Sequence, residues 1–249
     1  MKNRKLFPAL LAVCAITLAQ VSFTASAAHS VREAKATKFT VRVENISMPN
    51  SLTASNGTKW SFALSPGAFV LSAAKAALFR EGKKASKGLE MQAEDGDPTG
   101  LIGLLEMSNH SSALHGVYNM PVGATAPGPI RPGDAYEFSL EAQPGMRLFM
   151  TMMNGQSNDW FYAPDESGIE LFPNGKPLSG DVTSRFILFD AGTEVDEELG
   201  IGPNQGPRQS APNTGLDENG VVMRVKSAFA KKTGQLFRVT ITPEANTGM

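Results

Sequence analysis

Between Phe39 and Glu44 the chain alternates strictly: Phe39, Val41 and Val43 are apolar, and Thr40, Arg42 and Glu44 are polar. Successive side chains of an extended chain point to opposite faces, so this pattern builds a strand with one buried face and one wet face. The same period recurs twice. Tyr136, Phe138, Leu140 and Ala142 alternate with Glu137, Ser139 and Glu141, and Phe237, Val239 and Ile241 alternate with Arg238, Thr240 and Thr242. Further strands are expected over Lys59–Leu64, Ala68–Ser72, Arg147–Met153, Thr183–Phe189 and Val221–Val225. Turn clusters such as Pro173-Asn174-Gly175-Lys176 punctuate them. Helix is expected only in two short pieces, Ala73–Arg80 and Leu101–Met107. Many short strands with such punctuation point to an all-β chain, an antiparallel β-sandwich with short helices in its connections.

The first 27 residues read as an export signal. Lys2, Arg4 and Lys5 supply its positive start, Leu6 to Val21 its apolar stretch, and Ala25-Ser26-Ala27 a small-residue cleavage site. Leu11-Ala12-Val13-Cys14 approaches a lipoprotein box, but Val13 is bulky where a small residue belongs, so cleavage near Ala27 without lipid is expected. The expected organisation is a signal peptide at 1–27, a leader at 28–37, one β-sandwich domain at 38–243 and a tail at 244–249. The product would be periplasmic or extracellular. No other apolar run is long enough for a membrane span.

Cys14, the single cysteine, falls inside the signal. The mature chain therefore has no disulfides, no thiolate metal site and no cysteine nucleophile. Its stability must come from the core, from bound ions, or from both. The signal carries three basic residues and no acidic ones, which leaves 20 Lys and Arg against 24 Asp and Glu, a net charge of −4. Basic residues are scattered, and nothing forms the stripe that nucleic acid requires.

Two acidic segments carry the chemistry, Ser157-Asn158-Asp159-Trp160-Phe161 and Phe189-Asp190-Ala191-Gly192-Thr193-Glu194. Each lies where an apolar stretch gives way to a loop. Asp190 and Glu194 flank Gly192, which permits a tight reversal, and Asp159 from a neighbouring loop would complete an all-oxygen set. Such a set suits a hard cation such as calcium, although the EF-hand ligand pattern is absent; the alternative is plain solvated loop acids. Trp160 and Phe161 are expected to pack and so orient Asp159. Glu94-Asp95-Gly96-Asp97 reads as a solvated turn, with a second cation site as the other option.

Residues 195–220 form the longest stretch without periodicity, rich in Gly, Pro, Asn and Gln. Composition gives this loop little hydrophobic reason to order, but its position allows it to cap the acidic site. His110 and His115 are spaced wrongly for a helical zinc pair, and His29 lies beside the cleavage point. No HExxH, GxSxG or phosphate-binding glycine loop occurs. Met146, Met150, Met152 and Met153 invite a copper(I) reading, but Met146, Leu148, Met150 and Met152 share one strand face, as core filling requires.

In order along Lys38 to Thr242, the chain resembles the spondin N-terminal domain, known from F-spondin and mindin and from bacterial exported proteins. The residues that carry the resemblance begin with Thr40-Val41-Arg42-Val43-Glu44-Asn45-Ile46-Ser47, Leu64-Ser65-Pro66-Gly67 and Leu78-Phe79-Arg80-Glu81-Gly82. Ala85-Ser86-Lys87-Gly88-Leu89-Glu90 and Ala93-Glu94-Asp95-Gly96-Asp97 follow, then Ser157 to Phe161 and Asp190-Ala191-Gly192-Thr193. The resemblance implies a sandwich related to C2 domains, a calcium ion held by loops at one end, and no enzymatic activity. The ligands it implies are Asp159, Asp190 and Glu194. Glu194 stands where aspartate is usual, and the cysteines of the animal adhesion and matrix proteins are missing, so their partners are not carried over.

The function expected is an exported, non-enzymatic calcium-binding module with a recognition, adhesion or structural role at the cell envelope or outside the cell. Its partner would be a protein or a glycan. The alternatives are a carboxylate-dependent hydrolase of envelope or host polysaccharide, whose acids carry no fixed local spacing, and a methionine-based copper carrier.

Overall fold

The computed structural model describes residues 36–75, 78–107 and 113–244. The expected signal peptide lies outside them, as does most of the leader, along with His29 and His110. In chain order the first elements are β1 (Thr37–Asn45), β2 (Leu52–Thr53), β3 (Lys59–Trp60), β4 (Leu64–Ser72), α1 (Lys87–Glu94) and α2 (Thr99–Glu106). Next come β5 (His115–Tyr118), β6 (Ala135–Ala142), β7 (Arg147–Asn154), β8 (Trp160–Pro164), β9 (Ile169–Glu170) and β10 (Gly180–Asp181). The last are β11 (Phe186–Asp190), β12 (Met223–Arg224), α3 (Thr233–Leu236) and β13 (Phe237–Pro243). The chain forms an antiparallel β-sandwich. One sheet runs β10-β13-β1-β6, the other β12-β11-β8-β7-β4-β5 with β9 beside β7, and β2 pairs with β3 separately.

The three strands that alternate in sequence, β1, β6 and β13, are neighbours in the smaller sheet. Phe39 pairs with Leu140, Val41 with Phe138 and with Ile241, so the apolar faces coincide. That face packs on Leu148, Met150 and Met152 of β7, Tyr162 of β8 and Leu188 of β11, all buried in one core. Met146 packs against the same core. The strand begins at Thr37, one residue inside the expected leader, and Glu244 of the expected tail still bonds through its N–H to Lys38 O.

The expectation of one wet face fails for the larger sheet. β4 and β7 are buried almost throughout, because α1 and α2 cover their outer side. Leu89, Ala93 and Leu101 pack there against Ala68, Phe161, Ala163 and Phe189. Ser86 caps α1, its Oγ accepting the Leu89 N–H at 3.2 Å. The two helices touch at Gly88 and Gly100, where a Cβ on Gly88 would stand 2.5 Å from the Gly100 carbonyl carbon.

Other boundaries also move. The described residues of Ala73–Arg80 form bends and irregular chain rather than a helix, and Phe79 instead makes edge contacts with Phe161 and Phe189. Lys59–Leu64 leaves the ladder after Trp60, and Thr183–Arg185 is a single 3-10 turn before β11. The strand expected at Val221–Val225 shortens to β12. Among the described residues, no helix is long and apolar enough to cross a membrane.

Candidate metal centre

Asp159 sits in the turn that joins β7 to β8. Ser157 closes that turn: its hydroxyl donates to Asn154 O at 2.8 Å and accepts the Trp160 N–H at 3.1 Å. Trp160 and Phe161 pack in the two cores, as expected of residues that orient their neighbour. Across the sheet Asp190 pairs with Trp160, and Ala191 N–H extends the ladder to Asp159 O. The two aspartates thereby meet at the same sheet end.

Past β11 the chain reverses at Gly192. Its φ of +67° suits glycine, and a Cβ there would stand 2.6 Å from Val221 N. Gly192 N–H donates to Asp190 Oδ1 at 2.7 Å, closing the turn on the aspartate itself. The reversal aims the N–H groups of Thr193 and Glu194 at Asp159 Oδ2, at 2.9 and 3.1 Å, and the Thr193 hydroxyl lies 3.3 Å from it. Asp159 Oδ1 is buried and has no hydrogen-bond partner among the described residues.

The third carboxylate comes from Glu218. One oxygen each from Asp159, Asp190 and Glu218 lies within 4.8 Å of the others. Glu218 is delivered by the far end of the long loop, which folds back as a short ribbon. Val195 N–H bonds to Leu216 O, Glu218 N–H to Thr193 O, and Gly220 N–H to Gly192 O. Sequence reasoning missed Glu218, because this pairing of distant segments leaves no local signature.

Glu194 is held differently. It is buried, but its Oε1 accepts Gly215 N–H at 2.8 Å, outside the group formed by the other three. Its backbone N–H, rather than its side chain, meets Asp159. Glu94, read from sequence as part of a solvated turn, is also buried: it ends α1 at 2 % exposure, and its Oε2 has no hydrogen-bond partner among the described residues.

Burial pushes the Asp159 carboxyl up to about 6, against the opposing pull of the Glu194 and Thr193 N–H groups. Burial and the adjacent Asp159 charge push Asp190 up to about 7. Burial likewise raises Asp196. Carboxylates so arranged resist carrying charge together, and a divalent cation among them would reverse that preference. The donor set is all oxygen, the chemistry of calcium or magnesium rather than zinc or copper. Oxygens on opposite sides of a calcium ion stand about 4.8 Å apart at a Ca–O distance of about 2.4 Å, so the spacing accommodates that ion.

The long loop is ordered by polar contacts and a few apolar anchors. Asn158 spans its start, donating to Val195 O and accepting Glu197 N–H. Gln205 is fully buried and bonds to Gly200 N and Glu198 O, while Leu199 and Ile201 pack on the main core. His115 is remote in role, its Nδ1 at 2.7 Å from Ala113 O. No protein-family model matches this chain, and a search of curated proteins finds no match.

Proposed function

We propose that this chain is an exported, non-enzymatic, calcium-binding β-sandwich of the spondin N-terminal type. It would serve recognition, adhesion or a structural role at the cell envelope or outside the cell, with a protein or glycan as partner. The observations that carry the calcium reading are the meeting of Asp159, Asp190 and Glu218 and a buried Asp159 oxygen, Oδ1, that has no hydrogen-bond partner among the described residues. A buried oxygen left unpaired is costly, and a cation bound there offsets that cost. The ion would neutralise three carboxylates and pin the Gly192 reversal to the returning loop. Glu194, the ligand implied by resemblance, acts here through its backbone, which fixes Asp159.

Calorimetric titration of the mature protein with calcium tests the reading, with Asp190→Ala as the control. A site that binds only the folded state stabilises it by about 2.7 kcal/mol at a hundredfold excess over Kd. The expected result is saturable binding and a raised Tm, both lost in the variant. No heat of binding, together with superimposable melting curves in calcium and in chelator, would overturn it.

A further inference from the structure

A second concave site lies apart from the carboxylates, sharing none of its lining residues with them. It is a cleft of about 530 Å³, within the size range of small-molecule sites. Phe62, Pro66, Pro129, Met153 and Pro207 give it an apolar lining. The prolines have no N–H to satisfy and hold φ fixed, so these walls are both apolar and stiff.

Most polar groups at the cleft are already engaged. Ser65 Oγ donates to Pro66 O and accepts from Met153 N and Gln92 Nε2. Gln156 donates to Ser61 O and accepts from Arg208 at 3.1 Å. Asp95 Oδ1 takes Gln209 Nε2 at 2.9 Å and Asn213 N at 3.3 Å. Arg131 is different. Its backbone N–H bonds to Asp134, but its guanidinium has no hydrogen-bond or ion-pair partner among the described residues. Arg208, behind Gln156, spends its guanidinium on Gly202 O, Gln156 Oε1 and Gln205 Oε1, so Arg131 is the cation left to a ligand among the residues that line the cleft.

We infer that this cleft binds a small organic carboxylic acid, with its apolar body against Ala63 and the prolines and its carboxylate on Arg131. A guanidinium presents a planar pair of N–H donors that matches a carboxylate in two parallel bonds. The apolar lining excludes water from the rest of the ligand, which explains why an acid with an apolar body would bind where a bare anion would not.

The test is an NMR titration of the isotope-labelled mature protein with three probes: 3-phenylpropionate, its neutral amide and acetate. Expected is saturable binding of 3-phenylpropionate with shifts centred on Ala63, Met153 and Gln156. The amide and acetate should each bind about tenfold or more weakly, the scale of a lost charge-assisted pair or a lost apolar contact. Arg131→Ala, an exposed change that leaves the core intact, should bring the acid down to the amide. Ala63→Met, which fills the cleft, should weaken acid and amide together. Failure of 3-phenylpropionate to bind would overturn the inference. So would equal affinity for acid and amide in the wild type, or acid binding that both variants leave unchanged. Run in chelator, the titration reads the acid alone, so failure of the metal reading and failure of this one are distinguishable.

Discussion

The backbone N–H of Glu194 donates to Asp159 Oδ2 at 3.1 Å, while the Glu194 carboxylate turns away to Gly215 N at 2.8 Å. One residue thus ties the reversal after β11 to the aspartate on one side and to the returning loop on the other. A Cβ added at Gly215 would stand 2.1 Å from the Glu194 carboxylate, so the two segments are closely apposed there. Glu218, carried by that returning segment, occupies the position facing Asp159 and Asp190.

This division of labour predicts a ranking of calcium affinities. Loss of an outer partner of a metal ligand costs about 10–100-fold in affinity. Glu194→Gln, which keeps the backbone donor, is expected within or below that range. Glu218→Gln and Asp190→Ala, which remove ligands, are expected above it. Calorimetric titration of the three variants checks the order; a Glu194→Gln defect larger than that of Glu218→Gln would return the third ligand to Glu194.

The pH dependence of the cation-free protein has a definite sign. Asp159 at about 6 and Asp190 at about 7 both exceed their ordinary value of 3.8, so in the window between, the folded state binds more protons than the unfolded state. Their contribution is complete below pH 3.8 and is lost as pH rises through 6 and 7. In chelator, Tm should therefore be higher at pH 5 than at pH 7.5. Saturating calcium favours the ionised forms and should remove or reverse that difference. Thermal unfolding at the two pH values, with and without calcium, gives the answer.

Glu94 supplies a further titration. Burial raises it from 4.5 to about 8 against the opposing pull of the Thr193 hydroxyl, with the Glu194 charge adding to the rise, so its contribution falls as pH rises across that span. Glu94→Gln should stabilise the fold by about 1–3 kcal/mol near pH 8, the scale of relieving a buried unsatisfied group. The gain should fade toward pH 4.5. Urea unfolding at several pH values measures it, and a variant destabilised at pH 8 would show that the Thr193 hydroxyl bond to the carboxylate outweighs the cost of its burial.

How far the fold could be read from sequence follows the layering. β1, β6 and β13 were legible because the smaller sheet keeps one face in water, so alternation survives. β4 and β7 lie between that sheet and the helices, and residues buried on both faces do not alternate. α1 was missed for a related reason: it meets the sheet through Leu89 and Ala93, while polar Gln92 and Glu94 are buried beside them and blur the apolar stripe. At the site, Asp159 and Asp190 were legible as loop acids at strand ends. Glu218 was not, because its position depends on the ribbon pairing across 192–195 and 216–220.

Gly192→Ala should damage stability and site together. Its positive φ costs a residue with a Cβ about 1–2 kcal/mol, and the Val221 backbone at 2.6 Å must also move. Any shift there displaces the Thr193 and Glu194 donors from Asp159. Chemical unfolding and calcium titration of the same variant should both decline. Unchanged calcium affinity would show that Asp159 does not depend on the reversal for its orientation.

The long loop should respond to calcium in one part only. Its first half is anchored without any ion, by buried Gln205, by Leu199 and Ile201 on the core, and by Gly200 packed against Trp60. The stretch 206–213 is mostly exposed, and Leu216 beyond it is 73 % exposed. What holds Leu216 is the ribbon that also carries Glu218, so an ion bound to Glu218 should resist opening of that ribbon. Chymotrypsin, which accepts leucine, is expected to cut after Leu216 faster in chelator than in calcium. The sites around Leu199 should remain protected in both. Asp159→Ala, far from Leu216 in sequence, should restore rapid cleavage in calcium. Mass spectrometry of the early fragments locates the cut. Equal rates at Leu216 in both conditions, in protein shown to bind calcium, would mean that Glu218 does not ligate the ion and that the ribbon closes without it.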